Sequence, residues 1–257
     1  MSVDTAFWLI GIVLEAAVVG LLFHRQIFRV LPVFTFYISW SLLTDLGMVV
    51  VQHSYPPSAY LRLFIVQLSI DSILQFCVLV ELVWSVLRPY RSVLPRFSIF
   101  VIGGLILLAG AAMWPISGTL ALPGASPEWT LLSRLEQTSS ALRILFFLLI
   151  AGGSQVLSLG WRNRELQVAT GLGFYSLISL GAAFLHSHHA TIEFYRNVDR
   201  LVVATGFCSL LYWALCFAQK EAPRQEFSPK MQSLLFTVAG TARASRVALD
   251  EIGKSKR

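Results

Sequence analysis

Charge is what this sequence has least of. Only 13% of its 257 residues are Asp, Glu, Lys or Arg, about half the roughly 25% usual in a globular domain. No charged side chain falls between Arg96 and Glu128 or between Glu165 and Glu193, and no lysine precedes Lys220. Apolar runs of that length cross bilayers, which excludes a soluble enzyme. The three cysteines, Cys77, Cys208 and Cys216, form no Cys-x-x-Cys pair, which excludes a disulfide-stapled secreted domain. All three fall in apolar segments and are expected to be small buried hydrophobes.

What is abundant is apolar surface: 56% of the residues are hydrophobic and the mean hydropathy is +0.68. Seven spans are expected, near Ala6–Phe23, Val33–Val51, Leu61–Leu87, Phe97–Trp114, Gln137–Leu159, Leu166–His186 and Leu201–Phe217. Each approaches the roughly 20 residues that a span requires. Pro32 opens the second, Arg88-Pro89 stops the third, and Ser126-Pro127-Glu128 has the composition of a helix start well ahead of the fifth. Met1–Ala6 carries no positive charge, so the first span is expected to be an anchor and not a cleaved signal. The expected fold is all-α, a polytopic seven-helix bundle over residues 1–218, followed by a basic tail over 219–257.

Lysine and arginine give the orientation. With the amino terminus outside, fifteen of the 20 fall on the inner side: Arg25 and Arg29, Arg88, Arg91 and Arg96, Arg162 and Arg164, and eight in the tail. The positive-inside rule then reads N-out, C-in, in a bacterial inner membrane. This asymmetry explains the net charge of +6 without a nucleic acid. In the tail, Met231, Leu234, Leu235, Val238, Ala242, Leu249 and Ile252 fall on one stripe of a helix opened by Ser228-Pro229. A basic amphipathic helix of this kind is expected to lie on anionic lipids of the inner leaflet.

Ionisable groups inside the spans carry the functional signal, because each costs at least about 2.5–3.5 kcal/mol at a helix centre and needs a partner or a task. They are Glu15, Asp45, Asp71, Glu81 and Arg143. In the third helix Gln67, Asp71, Gln75, Glu81 and Ser85 project at about 0°, 40°, 80°, 320° and 0°, one polar stripe. Glu136, Ser140 and Arg143 share a side of the fifth helix. Arg143, Asp45, Glu15 and Asp71 fall in one slab roughly 9–16 Å below the outer interface, from a rise of about 1.5 Å per residue. Glu15, Asp45, Asp71, Gln75, Glu136 and Arg143 are therefore expected to line a ligand or coupling site in the outer half. Alternatively, Arg143 and Asp71 neutralise each other as a structural pair. Glu81 lies nearer the inner face, as a helix-end or snorkelling residue.

No cofactor is expected. His53, His186 and His189 fall on the outer side, and metal binding by the three is a minor alternative to a solvated loop end. Trp8, Trp114, Trp129, Tyr90 and Trp161 make interfacial belts. Gly103, Gly104, Gly110, Gly152, Gly153, Gly171, Gly173 and Gly181 are expected to let helices approach closely.

Three seven-helix comparisons bear on chemistry. Microbial rhodopsins require a lysine in the last helix, and none is there. Ceramidase-like zinc hydrolases share faint counterparts of Glu15, Ser41 and Asp71, but their last-helix histidine pair is missing from Leu201–Phe217. Small sugar carriers of the SWEET type have a 3+1+3 repeat, which Phe36-Tyr37-x-Ser39 and Phe174-Tyr175-Ser176 echo. The layout Arg25…Leu31-Pro32-Val33-Phe34…Tyr37, followed by Glu81-Leu82 and Leu87-Arg88, resembles uncharacterised seven-helix inner-membrane proteins of bacteria over residues 1 to about 218. That resemblance implies the topology and no chemistry. The expected role is a non-enzymatic receptor-like or scaffold bundle for a small ligand, lipid or protein partner, with a small-solute or proton-coupled carrier as the alternative.

Overall fold

The computed structural model describes residues 3–54, 57–87, 98–117, 127–152, 163–188 and 192–219. The expected tail helix, residues 153–159 of the fifth span, Trp161, Tyr90, His189 and the side chains of His53 and Trp129 lie outside what it describes. Seven helices are present: α1 (Val3–His24), α2 (Pro32–Ser54), α3 (Pro57–Val86), α4 (Ser98–Ser117), α5 (Pro127–Gly152), α6 (Arg164–His188) and α7 (Ile192–Ala218). Five are long and apolar enough to cross a membrane, and α4 adds a shorter apolar stretch, Ile99–Pro115. The helices alternate in direction. The end where α1, α3, α5 and α7 finish is termed basal here, and the other apical.

Helices α1, α2, α3, α5, α6 and α7 pack in that order as a closed ring, with α1 meeting α7, while α4 stands outside against α3 and α5. The reason is visible in α4 itself. It carries no charge to turn inward, and Phe100, Leu105, Leu107 and Leu108 are exposed, Phe100 to 80%. The other helices are inside out relative to a soluble protein. Val13, Leu43, Ile73, Leu148, Leu177 and Leu215 are exposed, whereas Thr35, Gln75, Ser140, Arg143, Ser176 and Ser209 are buried. An apolar exterior around a polar interior is the surface of an integral membrane protein. The buried hydroxyls remain satisfied by bonding back one turn, as Thr35 Oγ1 does to the Leu31 carbonyl at 2.9 Å and Ser176 Oγ to that of Leu172 at 2.7 Å. This is how α2, rich in Ser and Thr, takes its place in the ring.

The interior is divided along the bundle axis. The hydrophobic core, which includes Leu22, Phe34, Val78, Leu82, Leu166, Leu172, Trp213 and Phe217, occupies the basal half. There Phe34 meets the rings of Trp213 and Phe217 edge-on at 5.2 and 6.1 Å.

Polar groups close the basal end. Gln26 takes a left-handed conformation, φ 54°, which turns the chain tightly from α1 toward α2. Arg25 then donates to the Ala218 carbonyl at 2.7 Å, and Arg164 to the Cys216 and Gln219 carbonyls, each at 2.8 Å. Two cations thus sit on the negative end of α7. Arg164 is only 4% exposed, so an arginine expected in a solvated inner loop is instead a buried helix cap. Ser85 donates to Glu165 at 2.8 Å, and Glu81 accepts from the first free amides of α2.

Close approach needs glycine at two positions. A Cβ on Gly171 would collide with the Trp213 indole, and one on Gly173 with Phe147. Gly110 faces Leu142, whereas Gly103, Gly104, Gly152 and Gly181 meet nothing within 4 Å among the described residues. The expected close-packing role therefore fails for these four, because their helix faces point away from neighbours. Gly171→Ala and Gly173→Ala should each lower unfolding stability in mixed micelles by about 1–3 kcal/mol, the cost of overpacking. Gly104→Ala should be neutral or slightly stabilising through helix propensity; equal losses at all three would contradict this packing. Cys208 is likewise exposed on the outer face of α7, with Cys77 and Cys216 half-buried, so only burial of the latter two is approached.

Candidate ligand site in the apical half

Ser133, Glu136, Gln137 and Ser140 recur at three- and four-residue intervals, so they share one face of α5. This face meets Ser179 and His186 on α6 and Asp199 on α7 around a cavity of about 380 Å³. Leu180, Ala183 and Val202 supply apolar wall. Glu136 is exposed into this space, whereas Gln137 is 6% exposed. Gln137 Nε2 donates to Ser133 Oγ at 3.0 Å, and its Oε1 has no partner among the described residues. At the mouth, His186 stacks on Tyr195 with centroids 4.6 Å apart, and Tyr195 Oη donates to the His186 carbonyl at 2.6 Å. His186 Nε2 lies 3.6 Å from Asp199 Oδ1.

Beneath the cavity floor lies Arg143. Its Nη2 donates to Ser140 Oγ at 2.8 Å, and its guanidinium stands 5.8 Å from the Tyr175 ring centre. The residue is 2% exposed, and Nε and Nη1 have no partner among the described residues. Asp71 accepts from Gln75 of its own helix, one turn on. Gln75 also reaches Tyr37 Oη at 3.4 Å and accepts from Ser139 Oγ at 2.9 Å. Asp71 and Glu136 both lie within the electrostatic reach of Arg143. Asp71, Gln75, Glu136 and Arg143 are therefore one neighbourhood shared by α3 and α5, with Tyr37 and Tyr175 reaching in from α2 and α6.

Glu15 and Asp45 form a second group, which reaches Asp71 through its charge. Glu15 is 8% exposed and accepts from Ser41 Oγ at 2.8 Å, with Oε2 unpartnered. Asp45 is half-buried nearby and acts on Glu15 through its charge.

The expected polar stripe of α3 does not run through. Val78 and Leu82 project at about 20° and 60° on the same wheel, inside the stripe, and both are fully buried. Glu81 and Ser85 lie beyond this apolar layer and belong to the basal closure. Ser179 and His186 are seven residues apart on one face of α6, a spacing that marks them as neighbours. The Phe-Tyr pairs also carried a signal: Phe36 and Phe174 are exposed while the adjacent tyrosines turn inward. Asp199 had none, since its place at the mouth depends on how α7 tilts onto α6.

Among the described residues no group of three or more metal-binding side chains converges; the His186 ring stacks on Tyr195, and its Nε2, 3.6 Å from Asp199, has no hydrogen-bond partner among them. Two further cavities, of about 400 and 260 Å³, run between α3, α4 and α5 and are lined mainly by leucine, isoleucine and phenylalanine. No family model, no curated protein and no solved structure matches this chain.

Proposed function

We propose that this is a non-enzymatic, receptor-like protein of a bacterial inner membrane that binds a small ligand in its apical half, which faces outward. The observation that carries the reading is the division of the interior. A polar cavity with a Gln137 oxygen unpartnered among the described residues, and Arg143 beneath its floor, occupies the apical half, and a fully buried apolar layer at Val78, Leu82, Phe34 and Phe217 lies below it. Such a layer lets a ligand in from one side only. The orientation is supported by charge: Arg25, Arg29 and Arg164 lie at the basal end, and in the sequence Arg88, Arg91 and Arg96 follow the basal end of α3, Arg162 precedes that of α6 and the basic tail follows that of α7. The tail then touches anionic lipid or a protein partner inside the cell.

A carrier is the second reading, and one observation favours it. Helix α4 stands apart from two sets of three sequential helices, and the α1–α7 and α3–α5 contacts are what a two-fold relation between those sets produces. The readings differ in whether the apolar layer ever opens. In a chain with its native cysteines replaced, Ser140→Cys should react with a membrane-impermeant thiol reagent added from outside. Leu82→Cys should react from neither side. Labelling of Leu82→Cys from the cytoplasmic side establishes alternating access and the carrier; labelling of Ser140→Cys from inside alone reverses the orientation.

A further inference from the structure

The charge of the cavity names the class of its ligand. Its ionisable lining is Glu136, Asp199 and His186, and among the described residues neither Lys nor Arg lines it. Arg134 and Arg200 stand on the same helices outside the lining, and Arg143 is below the floor, turned to Ser140. Beside the carboxylates, Gln137 is only 6% exposed, with an acceptor oxygen that no group among the described residues satisfies. An unmet buried acceptor costs about 1–3 kcal/mol, and a donor from outside the chain removes that cost. Ser133, Ser140 and Ser179 each add hydroxyl lone pairs. A surplus of acceptors and negative charge calls for a cation with several N–H donors. The wall of Leu180, Ala183, Val202 and Val203 calls for carbon on that cation, which a bare metal ion lacks.

We infer that the apical cavity binds a small organic ammonium ion, its N–H groups held between Glu136, Gln137 and Asp199 and its hydrocarbon part against the α6–α7 wall. This rests on the ligand-binding reading above and goes beyond it in chemistry. Anionic ligands are repelled by the two lining carboxylates, because the one positive charge beneath the floor, Arg143, is matched by Asp71, and a neutral alcohol leaves the carboxylates uncompensated.

The test uses the full chain in nanodiscs at neutral pH, with thermal unfolding recorded against phenethylamine, the uncharged isostere 2-phenylethanol, and benzoate. Phenethylamine is expected to raise Tm by several degrees at millimolar concentration and the other two to leave it unchanged. Asp199→Asn, at a side chain 67% exposed and so tolerant of change, should weaken the half-maximal concentration roughly tenfold, and Glu136→Gln should do so independently. Stabilisation by 2-phenylethanol or benzoate equal to that by the amine overturns the ammonium assignment and leaves a ligand site standing. So does an unshifted Tm with native mass spectra showing another bound small molecule. An unshifted Tm with bare protein in those spectra overturns both.

Discussion

Replacing Glu81 with alanine is expected to destabilise the bundle by about 2–4 kcal/mol, more than loss of any hydroxyl bond inside it. The start of α2 shows why. A helix begins with amides that have no partner in the helix itself, and here each has a specific solution. Pro32 has no N–H. Val33 N–H donates to Glu81 Oε1 at 2.7 Å, Phe34 N–H to Oε2 at 2.8 Å, and Thr35 N–H to the Leu31 carbonyl at 3.1 Å. The site adjoins Leu31 and Phe34, both fully buried, so water does not replace the carboxylate. Hydrogen bonds to charged groups are worth about 1.5–3 kcal/mol each, and stranded buried donors cost about 1–3; the positive helix end adds to both. Hydroxyl bonds between membrane helices average about 0.6 kcal/mol by comparison. Glu81→Gln should lose about half as much as alanine, because the amide keeps one acceptor and turns an N–H toward the second donor. Unfolding in mixed micelles measures all three chains. A loss below about 0.5 kcal/mol in Glu81→Ala would mean that the α2 amides find other partners.

The same residue shows what the sequence disclosed and what it withheld. Seven helices were legible because hydrophobic length and punctuation by Pro32, Pro89 and Pro127 act locally. So was the place of the ionisable groups, since an interior face is the only tolerable site for them. That Glu81 reaches Val33, across 48 positions of chain, depends on how α3 leans on α2, and no periodicity encodes that. Arg164 was misread for a related reason: positive charge near a span end reads as loop, whereas here the α7 carboxy terminus is buried and needs it. The break in the α3 stripe was legible and overlooked, because Val78 and Leu82 occupy the stripe on the same wheel that places Asp71 and Glu81. The fifth helix begins at Pro127, where Ser126-Pro127-Glu128 marked a start ahead of the span expected from Gln137. The cavity itself could not be read, being made by the packing of α5, α6 and α7 together.

Arg143→Gln is expected to lower stability by about 3 kcal/mol, and adding Asp71→Asn should restore most of it. Two effects oppose each other at this site. The buried guanidinium has two nitrogens without partners, and removing it relieves that desolvation. Its removal also leaves half-buried Asp71 and, to a smaller degree, cavity-exposed Glu136 without the cation that acts on them, and stranding a buried charge costs about 3–5 kcal/mol. The second effect wins because two carboxylates depend on one cation, whereas the guanidinium retains Ser140 and the Tyr175 face. A double-mutant cycle should therefore give a coupling of about 2 kcal/mol between Arg143 and Asp71; additivity within about 0.5 kcal/mol would dissolve the pair. Ligand binding should respond with the opposite sign. Arg143 lies beside the cavity that holds Glu136, so its charge repels an ammonium ion. At an effective dielectric constant of about 20, unit charges 8–10 Å apart interact by roughly 2 kcal/mol before screening. In the Arg143→Gln chain with Asp71 kept, phenethylamine should thus stabilise at several-fold lower concentration than in the native chain. Equal or weaker binding would place the ammonium ion elsewhere, and loss of amine response with gain of benzoate response would make Glu136 irrelevant to the cavity's chemistry.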